Sequence, residues 1–173
     1  QLTDPDAREA LAWLRSRVFA LGLVHHQLMG SRDLLTFDVG PFLEDLSCNL
    51  LSAGVSKAIS LSVRAIPLKV GLDFAIPLGL IVTELVTNSL KHGFPDGTGN
   101  VEVELKRAAA GRIALVVSDN GTAPGTDVGT SRQGDSLGMT IVDALVRQLD
   151  GVMAVQSGPG FRTEIQLAEP TGQ

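Results

Sequence analysis

The spacing of apolar positions between residues 3 and 29 predicts one long helix. Thr3 or Asp4 can cap this helix, and Pro5 suits its first turn because no intrahelical N–H bond is required there. Apolar side chains, with one histidine among them, follow at alternating steps of four and three residues: Ala7, Leu11, Leu14, Val18, Leu21, His25 and Leu28. Such spacing is typical of the seam of a helical bundle or coiled coil, and a seam requires a partner helix.

The remainder of the chain alternates helical and strand patterns. Helical periodicity predicts further helices at 40–53, 73–92 and 136–149. Alternating or continuous apolar runs predict strands at 59–63, 101–105, 113–117, 152–156 and 163–167. The glycine-, threonine- and serine-rich stretch 120–136 predicts a mobile loop.

This order of elements contains no dominant parallel β-α-β repeat. The predicted fold class is therefore α/β: a sandwich of one mixed, largely antiparallel sheet covered on one face by helices, and preceded by the long bundle-type helix. We place a domain boundary near residue 35, which divides the chain into segments 1–35 and 36–173.

Composition narrows the classes of partner. Of the 173 residues, 44% are hydrophobic and only 4% aromatic, so the core must be mainly aliphatic. The net charge of −5 makes nucleic acid an unexpected partner. The single cysteine, Cys48, excludes an internal disulfide, and we expect it to be a buried thiol. The most apolar stretch, 74–90, carries Glu84 and Asn88, so we expect a buried helix and no membrane contact. Because the first residue is Gln1, we expect the chain to be a fragment or a processed product.

Four polar residues cluster near the end of the predicted helix 73–92, in the sequence ELVTNSLKHG. Glu84 and Asn88 are four residues apart and share a helix face, and Lys91 and His92 lie one turn further on. An acid, a carboxamide and two possible cations can hold a metal ion and a polyphosphate, and the neutral amide oxygen of asparagine suits Mg²⁺. The alternative is a polar helix end exposed to water.

Two further motifs contain glycine. The sequence DNG follows an apolar strand, so Asp119 can accept a hydrogen bond from an exocyclic amine, and Gly121 leaves room for a planar base. The sequence GDSLGM opens a helix, where free N–H groups attract anions and Gly134 and Gly138 allow close backbone approach. Taken separately, each motif is also compatible with an ordinary turn or helix start.

Taken together, these motifs resemble the GHKL (Bergerat) ATP-binding fold of sensor kinases, gyrase-type ATPases and anti-sigma kinases. The resemblance covers residues 73–167. The N box resembles that of the HisKA-type sensor histidine kinases that read ELVTN-x-x-KH-x-F. The first helix, which ends in LVHHQLM, resembles the second helix of their dimerisation and phosphotransfer hairpin.

The resemblance implies a phosphate end of the site. Asn88 matches the Mg²⁺ ligand, and Glu84 matches the acid that positions the metal or transfers a proton. Lys91 and His92 match positions close to the ATP phosphates, so Glu84, Asn88 and Lys91 are the expected catalytic residues.

The resemblance also implies a base end and a lid. Asp119 matches the residue that recognises the adenine amino group, Gly121 lies against the ring, and Thr163 matches the threonine of the last box. That box departs from the family pattern, because two residues separate Gly160 from the threonine.

Gly134, Leu137 and Gly138 match the second glycine box at the end of the lid. A second departure lies in the first glycine box, where Ala123 replaces a glycine and would weaken nucleotide binding unless Gly125 compensates.

The implied activity is transfer of the ATP γ-phosphoryl group to a histidine outside this chain, and then to an aspartate of a response regulator or to a phosphotransfer protein. The parent protein is expected to be a bacterial, cytoplasmic homodimer. His25 and His26 lack the neighbours of a phosphoacceptor box, so we expect packed or surface histidines. The alternatives are a phosphotransfer protein on a degenerate kinase scaffold without ATP binding, an anti-sigma-type serine kinase, and a structural module.

Overall fold

Helices and strands follow one another in the predicted order, with two short strands added. The structure is a computed structural model that describes residues 5–32, 34–53, 58–122 and 137–170. The helices within these ranges are α1 (Pro5–Met29), α2 (Val39–Ala53), α3 (Leu72–His92) and α4 (Leu137–Gln148). The strands are β1 (Phe37–Asp38), β2 (Ala58–Ala65), β3 (Lys69–Val70), β4 (Thr98–Arg107), β5 (Arg112–Asp119), β6 (Val152–Gly158) and β7 (Gly160–Ala168).

The main sheet of the described chain has the strand order β2-β4-β5-β7-β6. Strand β2 pairs in parallel with β4, and every other pairing in this sheet is antiparallel. The predicted mixed, largely antiparallel sheet is therefore confirmed. At one end of the two central strands, Asp119 lies opposite Phe161 and Val117 lies opposite Thr163.

Helix α3 is the centre of the hydrophobic core. Its residues from Phe74 to Val86 are mostly buried, and they pack with the aliphatic face of the sheet and with α2. A glycine makes this packing close: a side chain at Gly79 would lie 2.8 Å from the Phe42 ring of α2 and 3.8 Å from Ala20 of α1. Three helices therefore meet at one residue without a Cβ.

Helix α3 also has the length and hydropathy of a membrane span. However, 67% of its most apolar window is buried inside the structure, as in the core helix of a globular domain. This agrees with the expected buried helix.

Helix α1 packs on the core with a different face from its predicted seam. Ala20, Val24 and Leu28 are buried, and only the last of them belongs to the seam. The seam residues Leu11, Leu14, Val18 and Leu21 are exposed, and so is His25. The apolar seam therefore faces outward in the described chain.

Two further features differ from the sequence-based expectations. Strands β1 and β3 were not predicted; they form a two-stranded antiparallel ladder that joins the segments before α2 and before α3. Cys48 is exposed, so the expected buried thiol is wrong. The buried face of α2 carries Phe42, Leu43 and Leu46, and Cys48 points away from it.

Candidate functional site

The carboxylate of Asp119 lies at the end of β5, where it is 8% exposed and surrounded by hydrogen-bond donors. Its Oδ1 accepts hydrogen bonds from the backbone N–H groups of Gly121 (3.1 Å) and Phe161 (3.3 Å). Its Oδ2 accepts a hydrogen bond from the hydroxyl of Ser89 on α3 (2.7 Å). These three donors hold the carboxylate in a fixed orientation as a hydrogen-bond acceptor.

Gly121 allows the turn after β5 to lie directly on the end of α3. A Cβ atom on Gly121 would overlap the backbone carbonyl of Gly93, which caps the helix. Gly93 lies beside the Asp119 carboxylate. A Cβ atom on Gly93 would be 3.4 Å from the Cγ of Asp119. The expected reason for glycine at 121 was space for a planar base, and the structure adds a second reason, which is backbone packing.

The amide of Asn88 faces the beginning of α4. Its Nδ2 contacts the Sδ of Met139 at 3.5 Å, and Gly138, the preceding residue of α4, is buried. Because this contact uses the amide nitrogen, the amide oxygen is the atom suited to a cation. Ser89 is the next residue along α3, so one helix turn joins the Asp119 carboxylate to the start of α4.

The other predicted residues of α3 lie at the rim of this cluster. Glu84 is half-buried one turn before Asn88, whereas Lys91 and His92 are exposed in the last turn. A lysine and a histidine exposed at this end of α3 can contact a polyphosphate without the cost of burying a charge.

Thr163 contributes a buried hydroxyl on the sheet side. It is 1% exposed, and its Oγ1 has no hydrogen-bond partner among the described residues. Thr163 pairs with Val117 across the ladder, so its side chain lies on the same sheet face as Asp119. An unsatisfied buried hydroxyl costs about 1–3 kcal/mol, so a ligand or a bound water that supplies a partner would be favoured here.

Asn120 holds the turn after β5 to the neighbouring strand. Its backbone N–H donates to the carbonyl of Asn100 (3.2 Å), and its side-chain Oδ1 accepts from the N–H of Asn100 (2.7 Å). The side chain thus extends the β4–β5 ladder by one step beyond Asp119. This residue positions the turn rather than offering a group to a ligand.

The structure therefore brings Asn88, Asp119, Gly121, Gly138 and Thr163 to one end of the sheet and of α3. Leu137, partly exposed, begins α4 beside them. Two predicted residues, Gly125 and Gly134, lie outside the described residues, as does Ala123.

Four further residues of the site were not predicted from the sequence: Ser89, Gly93, Asn120 and Met139. For Ser89 a signal existed. It falls three and four residues after Val86 and Leu85, so it is a polar residue on the apolar face of α3. A polar side chain in that position requires a partner.

Comparison with known proteins agrees with this geometry. The family model described as histidine kinase-, DNA gyrase B- and HSP90-like ATPase matches residues 74–171, and a histidine kinase family model matches residues 1–54. The fold is that of the ATP-binding catalytic domain of a sensor histidine kinase. The chain belongs to the histidine kinase-, DNA gyrase B- and HSP90-like ATPase family.

Individual relatives are sensor kinases. The chain is 30% identical to the sensor histidine kinase PdtaS of Mycolicibacterium smegmatis over 99% of its own length and 34% of that protein. It is 31% identical to blue-light-activated histidine kinase 2 of Erythrobacter litoralis over 67% of its own length and 33% of that protein. The chain thus spans about a third of the length of each of these curated relatives.

Among solved structures, the histidine kinase domain of the Erythrobacter litoralis EL346 blue-light activated histidine kinase superposes with a TM-score of 0.77 at 26% identity. That match covers 91% of this chain and 75% of the other.

Proposed function

We propose that this chain binds Mg²⁺-ATP and transfers the γ-phosphoryl group to a histidine outside it, from which a response regulator aspartate or a phosphotransfer protein receives it. One observation carries the proposal: Asp119 and Asn88 are joined through Ser89 at a single site, together with the start of α4. A base-recognising carboxylate and a metal-binding amide at one helix end fit the two ends of one nucleotide.

The residues of α3 supply the phosphate end of this site. Asn88 holds the metal through its amide oxygen, Glu84 orients the metal's water shell or accepts a proton, and Lys91 and His92 face the phosphates. A Mg²⁺ ion bound with ATP neutralises charge on the phosphate oxygens. The protein's own contribution is to position the γ-phosphoryl group and to present it to the acceptor.

The base end of the site is formed by the sheet. Asp119 accepts a hydrogen bond from the adenine amino group, Thr163 offers its unpartnered hydroxyl nearby, and Gly121 lies against the ring. Gly138 of the second glycine box lies at the start of α4, where the absence of a side chain allows the helix backbone to approach the nucleotide.

In the transfer step, a ring nitrogen of the acceptor histidine bonds to the γ-phosphorus. The bond from that phosphorus to the β–γ bridging oxygen breaks, and ADP leaves. The phosphoryl group then passes from the histidine nitrogen to a carboxylate oxygen of the regulator. Within this chain, His25 and His26 are exposed on α1, and we assign neither as the acceptor. Residues 1–35 act as part of the dimerisation and phosphotransfer hairpin, and the parent protein is a cytoplasmic homodimer.

Nucleotide titration tests the proposal directly. We expect ATP to bind the wild type in Mg²⁺. Asp119→Asn should weaken binding about 10- to 100-fold, because it loses a hydrogen bond to a charged acceptor. Asp143→Asn, which changes an exposed acid of α4, is the matched control and should bind as the wild type does.

A separate variant tests whether Asn88 binds the metal ion. Asn88→Ala should weaken Mg²⁺-ATP binding but leave binding in EDTA nearly unchanged, because the amide oxygen contacts the ion and not the base. Asn49→Ala, on the exposed side of α2, is the control. The chain should also bind ATP without forming phosphohistidine on itself. If the wild type binds no nucleotide at millimolar ATP, the proposal fails. The favoured function is then that of a phosphotransfer protein on a degenerate kinase scaffold.

A further inference from the structure

Ser89 is a buried polar side chain on the apolar face of α3, where it is 4% exposed. Its Oγ lies 2.7 Å from Oδ2 of Asp119, a short distance typical of a hydroxyl that donates to a carboxylate. Burying a hydroxyl is unfavourable unless it is hydrogen-bonded, so this contact offsets the cost of a serine among aliphatic residues.

The two oxygens of Asp119 are held from opposite sides. Backbone N–H groups of the turn and of β7 hold Oδ1, and the α3 hydroxyl holds Oδ2. Rotation of the carboxylate about its Cβ–Cγ bond would move both oxygens, so the hydrogen bond from Ser89 fixes the plane of the carboxylate. The hydroxyl therefore acts on whatever Asp119 binds.

We propose that Ser89 is a positioning residue for base recognition: it orients the Asp119 carboxylate toward the 6-amino group of adenine. This inference rests on the proposed function. A ligand with a hydrogen-bond donor at that position gains from the oriented oxygen, whereas a purine without the amino group gains nothing. Ser89 also follows Asn88 directly, so the same hydrogen bond fixes α3 between the base end and the phosphate end of the site.

Two triphosphates distinguish a role of Ser89 in recognising the 6-amino group from a general effect of Ser89 on nucleotide binding. ATP carries the 6-amino group, and purine riboside 5′-triphosphate lacks it. The wild type should bind ATP more tightly than the purine analogue. Ser89→Ala should weaken ATP binding about fivefold to tenfold, because the hydrogen bond that orients the Asp119 carboxylate is lost. It should leave the affinity for the analogue within about twofold of the wild type, so that the preference for the amino group largely disappears.

The matched control is on the same helix. Thr83 is also buried, but its hydroxyl donates to the carbonyl of Gly79 in the preceding turn and not to Asp119. Thr83→Val removes a buried hydroxyl of α3 and should keep the wild-type preference for ATP. Ser89→Thr retains a hydroxyl and should keep most of that preference even where its added methyl group lowers stability, so it serves as the second variant if Ser89→Ala folds poorly.

A double variant tests whether Ser89 acts through Asp119. If it does, Ser89→Ala should weaken ATP binding no further in the Asp119→Asn background, because the oriented group is already lost. Equal weakening of both triphosphates by Ser89→Ala, or an effect that adds fully to that of Asp119→Asn, overturns the inference and leaves the proposed function intact. A wild type that binds neither triphosphate overturns both.

Discussion

At the residue scale, the site depends on a contact between two backbone segments, those of Gly121 and Gly93. The turn after β5 lies on the C-terminal end of α3 because Gly121 carries no side chain. A Cβ at position 121 would have to occupy the space of the Gly93 carbonyl, and backbone cannot move aside as a flexible side chain can. The Asp119 hydrogen bonds depend on this approach, since Gly121 supplies one of the N–H donors.

Gly121→Ala is therefore expected to lower the free energy of unfolding by about 1–3 kcal/mol, the usual cost of overpacking, and to weaken ATP binding as well. Urea unfolding measures the first effect and nucleotide titration the second. Gly158→Ala is the matched control, since a Cβ there would meet nothing within 4 Å. Wild-type stability in Gly121→Ala would show that the turn can move away from α3 without cost.

Whether a site residue could be predicted from the sequence depends on how far along the chain its interaction partner lies. Asp119 and Gly121 could be predicted because they form a local motif after an apolar strand. The role of Ser89 could not, because its partner lies 30 residues away and is reached only when α3 docks on β5. The pairing of Asn120 with Asn100 is of the same kind, since only strand register brings the two together.

At the element scale, the sheet has one face that the helices leave open. Glu104 of β4 and Glu164 of β7 flank Val116 of β5 across the ladder. Each glutamate pairs with a cation of its own strand, Lys106 at 3.0 Å and Arg162 at 3.1 Å. Val116 is buried although it faces away from the helices, so these long side chains cover it.

The open face gives the chain a pH-dependent contribution to stability. A hydrogen bond from Lys106 holds the pKa of Glu104 below its ordinary value of 4.5, partial burial acts against this, and the charges of Lys106, Arg64 and Arg162 lower the pKa further. A carboxyl whose pKa is lower in the folded state stabilises the fold above its unfolded pKa. That stability is lost as the pH falls through the folded pKa.

Between about pH 6 and about pH 3, the wild type should therefore lose more stability than Glu104→Gln does. The difference should stay below about 1 kcal/mol, because both partners of the ion pair remain accessible to solvent. Urea unfolding at the two pH values measures it, with Glu44→Gln on the exposed side of α2 as the control. An identical pH dependence in the wild type and Glu104→Gln would contradict the prediction.

The helices and main strands could be predicted because each has enough residues to show a period. Strands β1 and β3 have two residues each, too few for any alternation to be visible. Their pairing is set by contacts distant in sequence, including the hydrogen bond from the Val39 N–H to the Leu68 carbonyl (2.9 Å). The face of α1 that packs on the core was likewise not evident, because its heptad seam suggested a different one.

At the scale of the whole molecule, the C-terminal half of α1 shares one hydrophobic core with the α/β body. Val24 and Leu28 are buried with Phe42 of α2 and with the aliphatic residues of α3. Nearer its N-terminus, the helix carries Leu11, Leu14 and Val18 on an exposed face. The division that we propose near residue 35 separates two roles in phosphotransfer, but the packing continues across it.

Two truncations follow from this asymmetry. A chain that begins at Leu14 retains the buried half of α1 and should unfold close to the full chain. A chain that begins at Thr36 loses Val24 and Leu28 from the core. At about 1.5–3 kcal/mol for each buried side chain, it should be less stable by roughly 3–6 kcal/mol. Total stabilities of domains are only about 5–15 kcal/mol, so this shorter chain should be marginal. Thermal and urea unfolding of the three chains compare them.

Nucleotide binding adds a second measure to the same series. Helix α1 touches α3 at Gly79, on the helix that also carries Asn88 and Ser89, so loosening that contact should weaken ATP binding in the chain from Thr36 but not in the chain from Leu14. Equal stability and equal ATP affinity in all three chains would mean that α1 is a separate unit, which does not stabilise the α/β body. A loss confined to the shortest chain would show that the contact of α1 with α3 supports the nucleotide site, because the two helices are packed in one core.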